Sequence, residues 1–147
     1  MARRGAAQVL PQALSSGLSV GIVVEGDGPV VVRADADRVA QILLNLLSNA
    51  LRYTPEGGRI AIRVARAGGE GRLVVSDTGV GIAAGDLPLV FERFFRVDRS
   101  RSRTSGGSGI GLTIARRLAR AMGGDVTASS EGEGRGSTFT LALPLSR

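Results

Sequence analysis

At 147 residues, with 43% hydrophobic and 22% charged residues, the chain has the composition of one globular domain rather than of a disordered segment. No run approaches the ~20 consecutive apolar residues that a bilayer span needs. Met1 to Gln12 lacks the apolar stretch of a secretory signal, and the absence of cysteine excludes disulfides, thiolate metal sites and cysteine nucleophiles. Histidine and lysine are missing too: all 19 basic residues are arginine, against 13 acids, for a formal charge of +6. Any imidazole the chemistry requires must therefore come from outside this sequence. A positive charge admits a nucleic-acid partner, but one Tyr, four Phe and no Trp offer little for base stacking, and no continuous basic helix is present. No nucleic-acid partner is expected.

In chain order, two apolar runs between Leu18 and Arg33 flank Glu25-Gly26-Asp27-Gly28-Pro29, which predicts a β-hairpin. Asp35 is placed to cap a helix reaching about Tyr53, in which Val39, Ile42, Leu43, Leu46, Leu47 and Ala50 recur at three- and four-residue spacing as one buried stripe. Thr54-Pro55-Glu56-Gly57-Gly58 ends it. Strands are expected over Arg59 to Arg66 and Arg72 to Ser76, joined by Ala67-Gly68-Gly69-Glu70-Gly71, with Ile60, Ile62 and Val64 facing one side. A glycine loop, a short helix near Asp86 to Phe91 and an Arg/Ser/Gly stretch from Arg96 to Ser108, not expected to be rigid, come next. A second long helix should run from about Gly109 to Met122, stopped by Gly123-Gly124, before strands at Asp125 to Ser129 and Ser137 to Leu143. The pattern predicts a two-layer α/β sandwich: a mixed, mostly antiparallel sheet of about five strands, covered on one face by three helices.

Three segments carry chemistry. On the first helix, Gln41, Asn45, Ser48, Asn49 and Arg52 lie away from the apolar stripe. Asn45 and Asn49, four apart, project their amides one above the other; an amide oxygen suits a hard cation such as Mg²⁺, and Arg52 can approach a phosphate. A solvated helix face is the plainer reading, but two asparagines inside a helix gain nothing from propensity. In Asp77-Thr78-Gly79-Val80-Gly81-Ile82, a strand-end carboxylate sits beside a backbone that a ligand can approach closely, and it would accept from an exocyclic amine such as adenine's; an ordinary turn is the alternative. The third is Gly106-Gly107-Ser108-Gly109-Ile110-Gly111-Leu112, where bare amides lead into a helix as they do around phosphate oxygens.

That last loop also looks like the dinucleotide loop of short-chain dehydrogenases, and Glu131, twenty residues beyond Gly111, stands where a ribose-binding acid belongs. Context disfavours an NAD(P)-dependent hydride transfer. A Rossmann loop follows a buried strand, whereas Arg96 to Ser105 is polar and basic. Only 36 residues follow Gly111, and without lysine the dehydrogenase's Tyr/Lys pair cannot be built.

Taken together, the segments from about Asp35 to Leu145 resemble the catalytic, ATP-binding domain of sensor histidine kinases, a branch of the GHKL ATPases with the Bergerat fold. Asp37 to Pro55 looks like the family's N box, Asp77 to Gly81 its G1 box, Phe91-Glu92-Arg93-Phe94-Phe95-Arg96 its F box and Gly107 to Gly111 its G2 box. Four boxes in order are specific where any one alone is not. The resemblance implies that Asn49 coordinates Mg²⁺ on the phosphates of ATP with Asn45 assisting, that Arg52 contacts phosphate and that Tyr53 packs near the adenine. It implies that Asp77 accepts from the adenine amine in a pocket shaped by Gly79, Gly81 and Ile82. Gly107, Gly109, Ile110, Gly111 and Leu112 would cradle the phosphates and Arg96 reach the terminal ones. The hydroxyl of Ser137 or Thr138 would support the aspartate.

An ATP lid is implied at about residues 92–108, carrying Arg93, Arg96, Arg99, Arg101 and Arg103. Where the gyrase branch of the family has a water-activating glutamate, this chain has Asn45, which has no useful basicity, so transfer to histidine is favoured over hydrolysis. Residues 1–14 are then a linker remnant and 15–147 the catalytic domain. The acceptor histidine would sit on a separate dimerisation domain of the same full-length kinase, with a response regulator downstream. The fragment is expected to be cytoplasmic, mostly monomeric and without membrane contact, the full-length protein being membrane-anchored. A serine kinase of the anti-sigma type and a module that only binds nucleotide are the alternatives within the fold.

Overall fold

Helix α1 (Ala36–Tyr53) begins where the sequence supplies a cap: the Asp35 carboxylate accepts from the N–H groups of Asp37 at 2.9 Å and Arg38 at 3.3 Å. The computed structural model describes residues 17, 19–24, 32, 34–92 and 111–145. Over its 18 residues α1 buries Val39, Ile42, Leu43, Leu46, Leu47 and Ala50, the stripe expected from their spacing. These side chains meet Ile60, Ile62, Val75, Val126, Phe139 and Leu141 from the sheet, all at most 2% exposed.

The sheet has the order β1-β2-β3-β5-β4, with β1 (Ser19–Val24), β2 (Arg59–Ala67), β3 (Glu70–Asp77), β4 (Asp125–Ser129) and β5 (Ser137–Pro144). All neighbours are antiparallel except β1 and β2. Here the expected hairpin over Leu18 to Arg33 is corrected. β1 runs parallel to β2, from Ser19 opposite Arg59 to Val24 opposite Val64, and Val32 of the second apolar run makes a single antiparallel bridge to Leu145. A parallel pair needs a long crossover, which α1 provides. The nine residues of β2 also offer β1 a full-length ladder that the four of Val30 to Arg33 cannot.

β2 and β3 pair from Ile60 opposite Asp77 to Ala67 opposite Glu70, so the connection is a Gly68-Gly69 turn, tighter than the five-residue loop expected. Helix α2 (Gly111–Ala121) buries two alanines, Ala115 and Ala119. Small residues there let it lie close to α1 and β4. The third helix expected near Asp86 to Phe91 is a single 3₁₀ turn at Leu87–Leu89, with Pro88 in its first turn, where a missing N–H costs nothing. Phe91 follows it and packs edge-on against Phe139, with ring centroids 6.3 Å apart. Among the described residues, no helix is long and apolar enough to cross a membrane.

Candidate functional site

The polar face of α1 runs between two glycine-bearing segments and touches both. Near its middle, Asn45 Nδ2 donates to the carbonyl oxygen of Gly111, the first residue of α2, at 3.0 Å. At its end, the Tyr53 carbonyl accepts from the Val80 N–H at 3.0 Å, which holds the Asp77–Ile82 turn against the helix. From Asn45 to Tyr53 is about 12 Å along a helix rising 1.5 Å per residue. Asn49 stands between them, half-buried, as are Arg52 and Tyr53, whereas Gln41 and Ser48 are exposed. The Arg52 guanidinium carbon lies 5.9 Å from the centroid of the Tyr53 ring.

Asp77 closes β3 and is only 8% exposed. One carboxylate oxygen, Oδ1, accepts from the Gly79 N–H at 2.8 Å. Burial pushes the carboxyl pKa above its ordinary value, while backbone hydrogen bonds from Gly79 and Ser137 act against that rise. Glycine is required twice in this turn. A Cβ at Gly79 would run into the Tyr53 carbonyl oxygen, and Gly81 takes φ +72°, with its Cα facing the Gly132 carbonyl oxygen. A buried carboxylate beside two glycines thus sits at the C-terminal end of α1, and the start of α2 meets the same helix near its middle.

Residues 34–147 match the family described as histidine kinase-, DNA gyrase B- and HSP90-like ATPases. The chain belongs to this family. It is 44% identical over 120 residues to the sensor histidine kinase WalK of Bacillus subtilis (strain 168), a match covering 80% of this chain and 20% of WalK. A solved structure of the mycobacterial sensor histidine kinase MprB superposes with TM-score 0.82 at 29% identity, covering 98% of this chain and 91% of that one. Full-length ShkA, solved in complex with AMPPNP, gives TM-score 0.84 at 34% identity over 99% of this chain and 29% of that one. The chain therefore spans about a fifth of the length of WalK. The fold and the family are those of the histidine kinase ATPase catalytic domain, and binding of ATP goes with the family.

Within this ATPase domain, the expected site residues separate into groups. Asn45, Asn49, Arg52, Tyr53, Asp77, Gly79, Gly81 and Gly111 follow one another along the polar face of α1 and the segments it touches. Ile82 contributes its backbone to the turn, but its side chain is 3% exposed within the hydrophobic core, where Leu112 also packs in part. Ser137 and Thr138 part company because successive residues of a strand face opposite sides. Ser137 lies opposite Asp77 in the ladder and is 8% exposed, whereas Thr138 Oγ1 is 3.4 Å from Ser76 Oγ. Arg96, Gly107, Gly109 and Ile110 lie outside the described residues, as do Arg93, Arg99, Arg101, Arg103, Phe94 and Phe95.

The fit to a metal rests on the donor set. Among the described residues, no group of three or more His, Cys, Asp or Glu converges. The neutral amide of Asn49 suits a cation that arrives with anionic ligands of its own, as Mg²⁺ does on a triphosphate. A notch of about 290 Å³ between the 3₁₀ turn and α2, lined by Phe91, Thr113 and Arg116 among others, includes neither Asn49 nor Asp77.

Sequence reasoning missed Ser130. Its hydroxyl accepts from the Ile82 N–H at 3.0 Å and donates to the Gly136 carbonyl at 2.7 Å, joining the Asp77 turn to the β4–β5 connection. The available signal was the alternation Gly132-Glu133-Gly134-Arg135-Gly136, a third glycine loop in which all three glycines have positive φ.

Proposed function

We propose that this domain holds ATP along the polar face of α1, adenine at Asp77 and phosphates toward Asn49 and the start of α2, and transfers the γ-phosphoryl group to a histidine on a separate dimerisation domain. One observation carries the reading: a single helix face connects a buried carboxylate, through its contact at Tyr53, to the first residue of a second helix, through its contact at Asn45.

Asp77 accepts from the exocyclic amine, and Gly79 and Gly81 let the base lie close to the backbone. Ser137 supports Asp77 through its N–H. Tyr53 flanks the base, while Arg52 meets phosphate. Asn49 Oδ1 would hold Mg²⁺, which offsets phosphate charge when bound. Asn45 fixes the start of α2, so that Gly111, with Gly107, Gly109, Ile110 and Leu112, keeps backbone amides on the phosphates, and Arg96 reaches the terminal group. In the transfer, an imidazole nitrogen bonds to the γ-phosphorus as the bond to the bridging oxygen breaks. ADP leaves with that electron pair and the imidazole releases its N–H proton. A neutral imidazole needs no further activation, and the amide of Asn45 cannot serve as a base for water, so the chain's task is positioning and charge neutralisation.

The chain holds no histidine. The acceptor is therefore supplied by the dimerisation domain of the same full-length kinase, which passes phosphate to a response regulator. Residues 1–14 serve as linker and 15–147 as the domain, with the lid over about 92–108. The domain by itself is a cytoplasmic monomer, and membrane anchoring belongs to the full-length protein.

Mixing the chain and labelled Mg-ATP with a separately prepared histidine-bearing dimerisation domain should yield acid-labile phosphate on that domain. Asn49→Ala should cut the yield at least about 100-fold. Near-normal transfer by this variant would remove Asn49 from the mechanism. Acid-stable phosphate on an added protein would point to serine, and ATP binding with no transfer to a binding module.

A further inference from the structure

The hydroxyl of Ser130 has one proton and two lone pairs, and the structure uses all three. It accepts from the Ile82 N–H at 3.0 Å and from the Gly132 N–H at 3.2 Å, and it donates to the Gly136 carbonyl at 2.7 Å. Ile82 ends the turn that begins at Asp77. Gly136 precedes Ser137, whose N–H supports the Asp77 carboxylate. One side chain therefore ties the far end of the carboxylate turn to the strand that braces the carboxylate itself.

The surrounding contacts allow little slack. Gly134 N–H donates to the Val80 carbonyl at 2.7 Å and Gly136 N–H to the Gly79 carbonyl at 3.2 Å. A Cβ at Gly136 would run into the Asp77 carbonyl oxygen. The β4–β5 connection thus lies along the back of the carboxylate turn from Gly79 to Ile82, and Ser130 is the side chain that locks the two together. Without its hydroxyl, the Ile82 and Gly132 N–H groups and the Gly136 carbonyl lose their partner together, and the turn can shift relative to the strand. Such a shift acts at the base end of the site, since Asn49 and the Asn45–Gly111 contact belong to α1 and α2.

We infer that Ser130 is a positioning residue that fixes the carboxylate turn for adenine, setting the preference for this base without touching the nucleotide. The inference rests on the nucleotide reading above and adds a determinant of base specificity to it.

The test compares Mg-ATP with Mg-GTP, because the ratio of their affinities cancels both the folded fraction and the phosphate contacts. Ser130→Ala should weaken ATP roughly tenfold, the size expected from losing buried hydrogen bonds, and leave GTP nearly unchanged, so that the preference narrows. Ser130→Thr, which keeps the hydroxyl, should restore most of it. Equal losses for the two nucleotides, or an unchanged ATP affinity, overturn the inference and leave the nucleotide reading standing. If Ser130→Ala does not fold, amide hydrogen exchange on the unsubstituted protein decides: saturating ATP should slow exchange at Ile82 and Gly132 at least about fivefold, and unchanged exchange overturns the inference. Failure of the unsubstituted protein to bind ATP at all defeats the nucleotide reading, and this inference with it.

Discussion

Burial of Asp77 raises its carboxyl pKa above 3.8, and the N–H groups of Gly79 and Ser137 offset only part of the rise. In the window between 3.8 and the raised native value, the folded protein binds more protons than the unfolded chain. The stability this group confers is therefore fully present below 3.8 and is lost as pH climbs through the native pKa. Above the native pKa, the ionised Asp77 costs stability for the sake of a strong hydrogen-bond acceptor. Asp77→Asn should accordingly raise Tm at pH values above that pKa while weakening ATP binding at least tenfold. A thermal melt and a nucleotide titration on the same preparation check both, and an unaltered ATP affinity would remove Asp77 from the site. Asp77 and Asn49 were legible in the sequence as candidates because residue type and spacing mark them. Ser130 was not, since an isolated serine among glycines carries no sign that its three bonds reach residues as far as 48 positions away.

At the next scale, Asp125 opens β4 and joins it to α2. Arg116 grips its carboxylate at 3.0 and 3.3 Å and Arg120 at 3.1 Å, while the Arg116 guanidinium also sits 4.5 Å above the ring of Phe91. Burial works to raise the Asp125 pKa, but the bonds from Arg116, Arg120 and the Val126 N–H, with the charge of Arg116, outweigh it and the net shift is downward. The sign is opposite to that of Asp77. This contribution is present above 3.8 and is lost as pH falls through the native pKa. Because the side chain is 36% exposed, solvent screening keeps the contribution small. Asp125→Asn should lower stability by at most about 1 kcal/mol at pH 6, and the difference should shrink as the pH drops below 3.8. Urea unfolding at pH 6 and at pH 3 measures it, and an equal deficit at both values would show that packing rather than charge is at stake. Among the elements, α1 and the two C-terminal strands were legible because capping, periodicity and alternation are written within each segment. The short helix expected at Asp86 is only a 3₁₀ turn at Leu87–Leu89, a length that no pattern within so short a segment specifies.

For the molecule as a whole, α1 serves both the core and the site. Its apolar stripe fills the space above the sheet and its polar face carries Asn45, Asn49 and Arg52. A defect in the core should therefore reach the site only by unfolding. Leu46→Ala, at a fully buried position, should cost about 2–5 kcal/mol by opening a cavity. ATP affinity per folded molecule should stay within twofold, measured by urea unfolding and by titration well below the variant's Tm. A larger loss of affinity would mean that the core also tunes the site.

The amino-acid sequence by itself determined which residues were candidates for chemistry, where the two long helices and most strands lie and that they form two layers, because these depend on residue type and on short-range periodicity. Tertiary structure alone decided that β1 joins β2 in parallel, that Asn45 holds Gly111 and that Ser130 locks the carboxylate turn. Those choices are settled by which distant partners satisfy the most buried backbone groups at once, a competition that no single segment encodes.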